Sequence, residues 1–123
     1  MHITLKKRAA FTLVEVMVVV TLVGMLAGIS VPGFVKARDT ANLNVIRANL
    51  RMIEDVKQQW AWDSRAANTA VPADADLEAY LKGNRMPIPV VGEVYNANSV
   101  QEPAGAVIPV PLAGHPAGSI ITL

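Results

Sequence analysis

From Phe11 to Val35 the chain carries a single charge, Glu15, in the run FTLVEVMVVVTLVGMLAGISVPGFV. An α-helix rises about 1.5 Å per residue, so roughly 20 apolar residues cross the hydrocarbon core of a bilayer. The run is longer than that. The remainder of a 123-residue chain is too short to cover such a helix on every side. The segment therefore reads as a membrane-spanning helix. Lys6, Lys7 and Arg8 stand just before it, and Lys36, Arg38 and Asp39, mixed in sign, stand just after it. Basic flanks stay in the cytoplasm, which places the amino end there and the rest of the chain beyond the inner membrane.

Glu15 has two readings. A carboxylate near the edge of a spanning helix can snorkel to water; alternatively it has a cationic partner. The second is favoured, because unpaired ions inside membranes are rare and costly. A chain cut between Ala10 and Phe11 would present a new α-amino group four residues before Glu15, largely cationic at neutral pH. The amine of a neighbouring copy would then pair with Glu15 and set the register of parallel helices. An acid in the first turns also suits the helix dipole.

Basic residues, a small residue, Phe11-Thr12-Leu13-Val14-Glu15 and a long apolar helix together resemble the amino-terminal signal of type IV pilins and type II secretion pseudopilins. The resemblance implies a leader of residues 1–10, cut by a prepilin peptidase between Ala10 and Phe11, followed by N-methylation of Phe11. It implies an assembly role for Glu15. Gly24 and Pro32 fall where the family often has glycine and proline. Ala10 departs from the family pattern, which usually has glycine before the cut. The implied partners are the peptidase and methyltransferase, other pilin-like subunits, their assembly platform and the inner membrane. The implied destination is a periplasmic or extracellular filament. The rival reading is an uncleaved single-pass anchor presenting a small periplasmic binding domain.

Within the spanning run, Gly24 and Gly28 have the small-xxx-small spacing that lets membrane helices approach, although glycine is also simply common there. Pro32 removes a backbone donor and crowds the carbonyl of Gly28. A bend is expected between Gly24 and Gly33. Beyond Val35, Leu43, Ile46, Leu50, Ile53, Val56 and Trp60 recur at spacings of three and four, the mark of an amphipathic helix. Asn44, Arg47, Arg51, Asp55 and Gln58 fill the other side, with Arg51 and Asp55 spaced to pair. No proline falls between Pro32 and Pro72. One helix is thus expected from Phe11 to Trp62, spanning over 11–35 and amphipathic over 36–62, roughly 75 Å long. Trp60 and Trp62 read as core or edge packing.

Residues 63–123 form the expected small carboxy-terminal domain. Ser64 to Asp74 reads as a loop. Asp74 or Asp76 would cap a short helix carrying Leu77, Tyr80 and Leu81, which Gly83 would end. Met86-Pro-Ile-Pro-Val is extended, because a residue before proline avoids helix. Strands are expected at Val90–Tyr95, at Ala106–Val110 as an edge because of Pro109, and at Ile120–Leu123. The fold class is α+β and pilin-like: a long amino-terminal helix on a small irregular antiparallel sheet.

Composition excludes several functions. Without the leader, eight basic residues face ten acidic ones, which makes no electrostatic case for nucleic acid. The absence of cysteine removes disulfides, thiolate metal sites and thiol nucleophiles. His115 is the one histidine after the leader and lies among glycines and prolines, a surface loop rather than a base. Asp74, Asp76 and Glu78 supply too few oxygens for calcium and read as capping residues. No enzyme activity and no cofactor are expected.

Overall fold

The computed structural model describes residues 10–123. Helix α1 spans Leu13–Ser64, a single element of 52 residues. Thr12 starts it: its Oγ1 accepts the Glu15 backbone N–H at 3.3 Å. This is the N-cap bond that satisfies one of the four free donors of a helix start. The helix continues through Pro32. In its apolar part the hydroxyls turn inward on their own backbone, Thr21 to the Met17 carbonyl at 2.7 Å and Ser30 to the Leu26 carbonyl at 2.9 Å. Arg65 ends it, left-handed at φ 51°. The Ala66 N–H then reaches back to the Ala61 carbonyl at 3.0 Å, closing the last turn in the way glycine usually does.

The chain divides into two compact units between Val35 and Lys36. In the second unit, α1 lays one stripe on a small sheet. Ile46, Leu50 and Ile53 are fully buried, with Leu43 and Val56 nearly so. The expected stripe is therefore the observed one, with Trp60 half-buried at its end. Trp62 is corrected: it is 82% exposed and packs in no core. Two residues on from half-buried Trp60, it lies about 200° further round the helix.

Helix α2, Asp74–Glu78, is shorter than expected and begins after Ala73. Neither aspartate is the N-cap residue; instead Asp76 reaches back and accepts the Ala73 N–H at 3.1 Å. Tighter turns carry the chain on through Tyr80, Leu81 and Asn84. Leu77 and Leu81 are buried and Tyr80 half-buried against the core.

The sheet has three antiparallel strands in the order β1 (Val94–Asn96), β2 (Gly105–Val107), β3 (Ile120–Thr122). Tyr95 pairs with Ala106 and Ala106 with Ile121, and all three are buried. The adjacent row of Val94, Val107 and Ile120 lies on the opposite face, as the two-residue period of strands requires. Two expectations are corrected. β1 starts at Val94, because Val90 and Val91 turn around the Glu93 carboxylate through Gly92 at φ +83°. β2 is the central strand; Pro109 lies beyond it, and Ile108 still exchanges backbone bonds with Ser119 and Gly118.

Candidate assembly site

Every residue from Ala10 to Arg38 is exposed. The apolar part of α1 thus presents its side chains all round, with Phe11 and Ile29 each 78% exposed. It is long and apolar enough to cross a membrane. Ala10 and Phe11 lie just ahead of the helix, exposed and outside regular secondary structure. Thr12 is the N-cap, so Glu15 sits at the third helical position. Four residues separate Phe11 from Glu15, which brings the two to one shallow cleft with Val16 and Val19. The Thr12-x-x-Glu15 spacing is the sequence signal of this capped start, and the reading from Phe11 missed it. Gly24 and Pro32 both fall within α1, and a Cβ added at Gly24, Gly28 or Gly33 would meet open space.

Two buried polar clusters hold the second unit, and sequence reasoning missed both. In the first, Lys57 is fully buried on α1. Its ammonium donates to the Ala97 carbonyl at 2.9 Å and the Glu102 carbonyl at 2.5 Å, and lies 2.8 Å from Glu54 Oε2. Three donors thus find three acceptors. Glu54 Oε2 also accepts the Ala104 N–H at 3.0 Å, and Oε1 accepts Gln58 Nε2 at 3.1 Å. Burial pushes the Glu54 carboxyl up, but the bonds from Lys57, Ala104 and Gln58 outweigh it and hold it below the usual range. The signal was its spacing: Lys57 follows Ile53 by four residues and so falls on the apolar stripe. The expected Arg51–Asp55 pair is corrected, because among the described residues the ion pair is Lys57 with Glu54. Arg51 and Asp55 both point to water, where such a pair gains little against side-chain entropy.

In the second cluster, Glu93 is 1% exposed. Its carboxylate accepts the Val90 N–H at 2.9 Å, the Val91 N–H at 2.9 Å and the Tyr95 hydroxyl at 2.5 Å. Asn49 Nδ2 donates to the Tyr95 oxygen at 2.9 Å, tying the sheet to α1. Burial raises the Glu93 carboxyl, yet the bonds from Tyr95, Val91 and Val90 together hold it below its ordinary value. Tyr95 moves the other way: burial and its bond to Glu93 push the phenol well above its ordinary value. His115 lies half-buried in a tight turn, bridged by its backbone to Leu112. These groups serve packing within the second unit.

Residues 5–31 match the model of the prokaryotic N-terminal methylation motif. The chain is 33% identical over 86 residues to the type II secretion system core protein G of Pseudomonas aeruginosa, an alignment covering 67% of this chain and 58% of that protein. The chain thus spans somewhat more than half the length of this relative. No solved structure matches it. A methylation motif over the exposed apolar part of α1, with the amphipathic part of the same helix packed on a three-stranded antiparallel sheet, defines a pilin-like α+β protein, structural rather than enzymatic. More particularly, the chain carries the prepilin N-methylation signal and is a distant homologue of a type II secretion pseudopilin. The motif implies processing by a prepilin peptidase.

Proposed function

We propose that this chain is a structural subunit of a type IV pilus or a type II secretion pseudopilus. Residues 1–10 are its leader, 11–35 the membrane-spanning and then filament-core part, 36–62 the amphipathic part, and 63–123 the carboxy-terminal domain. A peptidase cuts between Ala10 and Phe11, and methylation follows on Phe11. The subunit waits in the inner membrane with its amino end towards the cytoplasm. It is then drawn by the assembly platform into a filament with other pilin-like subunits.

The observation that carries this reading is the position of Glu15. It is the acid of a capped first turn, four residues from Phe11, on a helix whose first part, as far as Val35, is apolar and exposed on every face. A bilayer satisfies such a helix before assembly, and the apolar helices of other copies satisfy it afterwards. In the assembled state the Glu15 carboxylate meets the amine of a neighbour's Phe11, and the stretch from Gly24 to Pro32 is where the helix yields to fit. Contacts between copies are heterologous, since a filament is an open assembly.

Mass spectrometry of the amino terminus tests it. A mature chain beginning with methylated Phe11 is expected. Functional protein retaining residues 1–10 overturns the reading in favour of an uncleaved single-pass anchor presenting a periplasmic binding domain.

A further inference from the structure

The hairpin of β2 and β3 runs back along α1 towards the start of the second unit. At its base the Ala104 N–H donates to Glu54 Oε2 at 3.0 Å. At its tip Ala113 and Gly114 line one cleft with Lys36, Asp39 and Thr40 of α1. Glu54 and Asp39 are fifteen residues apart on the helix, about 22 Å. Backbone bonds continue beyond the strands to the tip. The Ile108 N–H donates to the Ser119 carbonyl at 3.1 Å, and Leu112 and His115 exchange N–H and carbonyl at 2.9 and 2.8 Å. Leu112 is buried, while Ala113 and Gly114 reverse the chain at φ 48° and 89°. Lys36 follows Val35 directly, so the tip stands beside the first residue after the apolar run.

This hairpin is built without charge. Positions 36–102 hold seventeen Asp, Glu, Lys or Arg residues, and positions 103–123 hold none. Yet Val110, Pro111, Ala113, Gly114, Pro116 and Ala117 at the tip are all exposed. A charged side chain is at no disadvantage facing water, but it must give up hydration against the acyl boundary of a bilayer. Lys36 and Arg38, on the adjoining turn of α1, are exposed cations. Asp39, half-buried, is the acid there and faces the tip together with half-buried His115. We propose that in the membrane-held subunit the 110–117 tip rests on the headgroup layer of the bilayer, while Lys36 and Arg38 meet lipid phosphates. This rests on the membrane-spanning reading above and adds to it a second point of contact, which fixes how the folded unit leans. The occupant is lipid because the tip is continuous, through Lys36, with the segment that crosses the membrane. Drawing the subunit into a filament then breaks this contact.

The chain has no cysteine of its own, so single fluorophores can be placed by substitution. Full-length chains carrying Ala113→Cys at the tip, Ala41→Cys on α1 near it, or Asp63→Cys far from it are labelled and reconstituted in vesicles of phosphatidylethanolamine and phosphatidylglycerol. Asp39 and Asp63 are twenty-four residues apart on α1, about 36 Å. Headgroup-nitroxide lipids are expected to quench the label at 113 several-fold more than the label at 63. Adding Ala117→Glu lowers quenching at 113 by roughly twofold or more and leaves the label at 41 unmoved, with thermal unfolding unchanged. Replacing phosphatidylglycerol by phosphatidylcholine, which needs no further substitution, also lowers quenching at 113. Quenching at 113 that ignores both Ala117→Glu and the lipid change reports nearness alone and overturns the contact. An inserted chain whose label at 113 is quenched no more than that at 63 overturns it too, and leaves the spanning reading standing. A label at 113 unquenched in vesicles but shielded from iodide in sheared filaments overturns lipid in favour of a second copy. A chain that does not float with the vesicles overturns both readings.

Discussion

Lys57 Nζ lies 2.8 Å from Glu54 Oε2, one helical turn apart on α1, and the lysine is fully buried. Together the two residues bond three backbone groups of the segment after β1: the Ala97 and Glu102 carbonyls and the Ala104 N–H. A helix thereby holds a loop with one cation and one anion. A buried pair is weak evidence of stability in itself, since desolvation offsets attraction, but removing one partner leaves the other groups stranded.

Lys57→Met is accordingly expected to destabilise the fold by about 2–4 kcal/mol, since methionine fills the space but leaves the two carbonyls unbonded. Thermal unfolding of the full chain in detergent measures the loss. Hydrogen exchange locates it, with amides of 97–104 losing protection before those of Leu50 and Ile53.

Acid has a predictable effect. The carboxyls of Glu54 and Glu93 are both held below their ordinary value of 4.5 in the folded chain. The unfolded chain then binds protons more readily, so their contribution is fully present above that ordinary value. It fades as pH falls through the lower folded values. Melting temperature is expected to drop below that range, and Glu93→Gln to drop less steeply with pH than the parent. A parent whose melting temperature is flat to lower pH contradicts this.

Tyr95→Phe removes a hydroxyl that donates to Glu93 and accepts from Asn49. About 1–3 kcal/mol of stability is expected to go with it, because a buried carboxylate loses a donor. Tyr95 also ionises well above its ordinary value, so tyrosinate absorbance from it should emerge only at strongly alkaline pH or on unfolding. Comparing the alkaline titrations of the parent and Tyr95→Phe checks this.

Core and surface substitutions on the same helix should separate cleanly. Leu50→Ala empties a fully buried site and is expected to cost about 2–5 kcal/mol. Trp62→Ala, at an exposed site, should stay within about 0.5 kcal/mol in the unassembled chain. Urea unfolding in detergent gives both numbers.

Glu15→Ala is expected to abolish filament assembly and leave membrane insertion intact. Membrane fractionation and counts of sheared filaments report the two separately. Assembly that persists at the parental level removes the role proposed for Glu15.

Much of this architecture was legible in the residues because it follows from short-range pattern. The apolar run fixes by its length a helix able to cross a membrane, and the three-and-four spacing of Leu43, Ile46, Leu50, Ile53 and Val56 marks the stripe that the sheet covers. Misreadings arise at a tight local turn and where partners are distant in sequence. Val90 and Val91 have strand composition, yet they turn to give their N–H groups to Glu93. Pro109 suggests an edge, but only the pairing of Ala106 with both Tyr95 and Ile121 makes β2 central.

The sequence by itself thus determined the apolar helix, the acid near its start and the face its second half buries, because periodicity and hydropathy act through near neighbours along the chain. Tertiary structure alone decided that Lys57 goes inside, that Asn49 meets Tyr95 from 46 residues away, and that Trp62 faces water. Burying an ion is favourable only when acceptors from elsewhere in the chain arrive with it, and Ala97 and Glu102 lie 40 and 45 residues away.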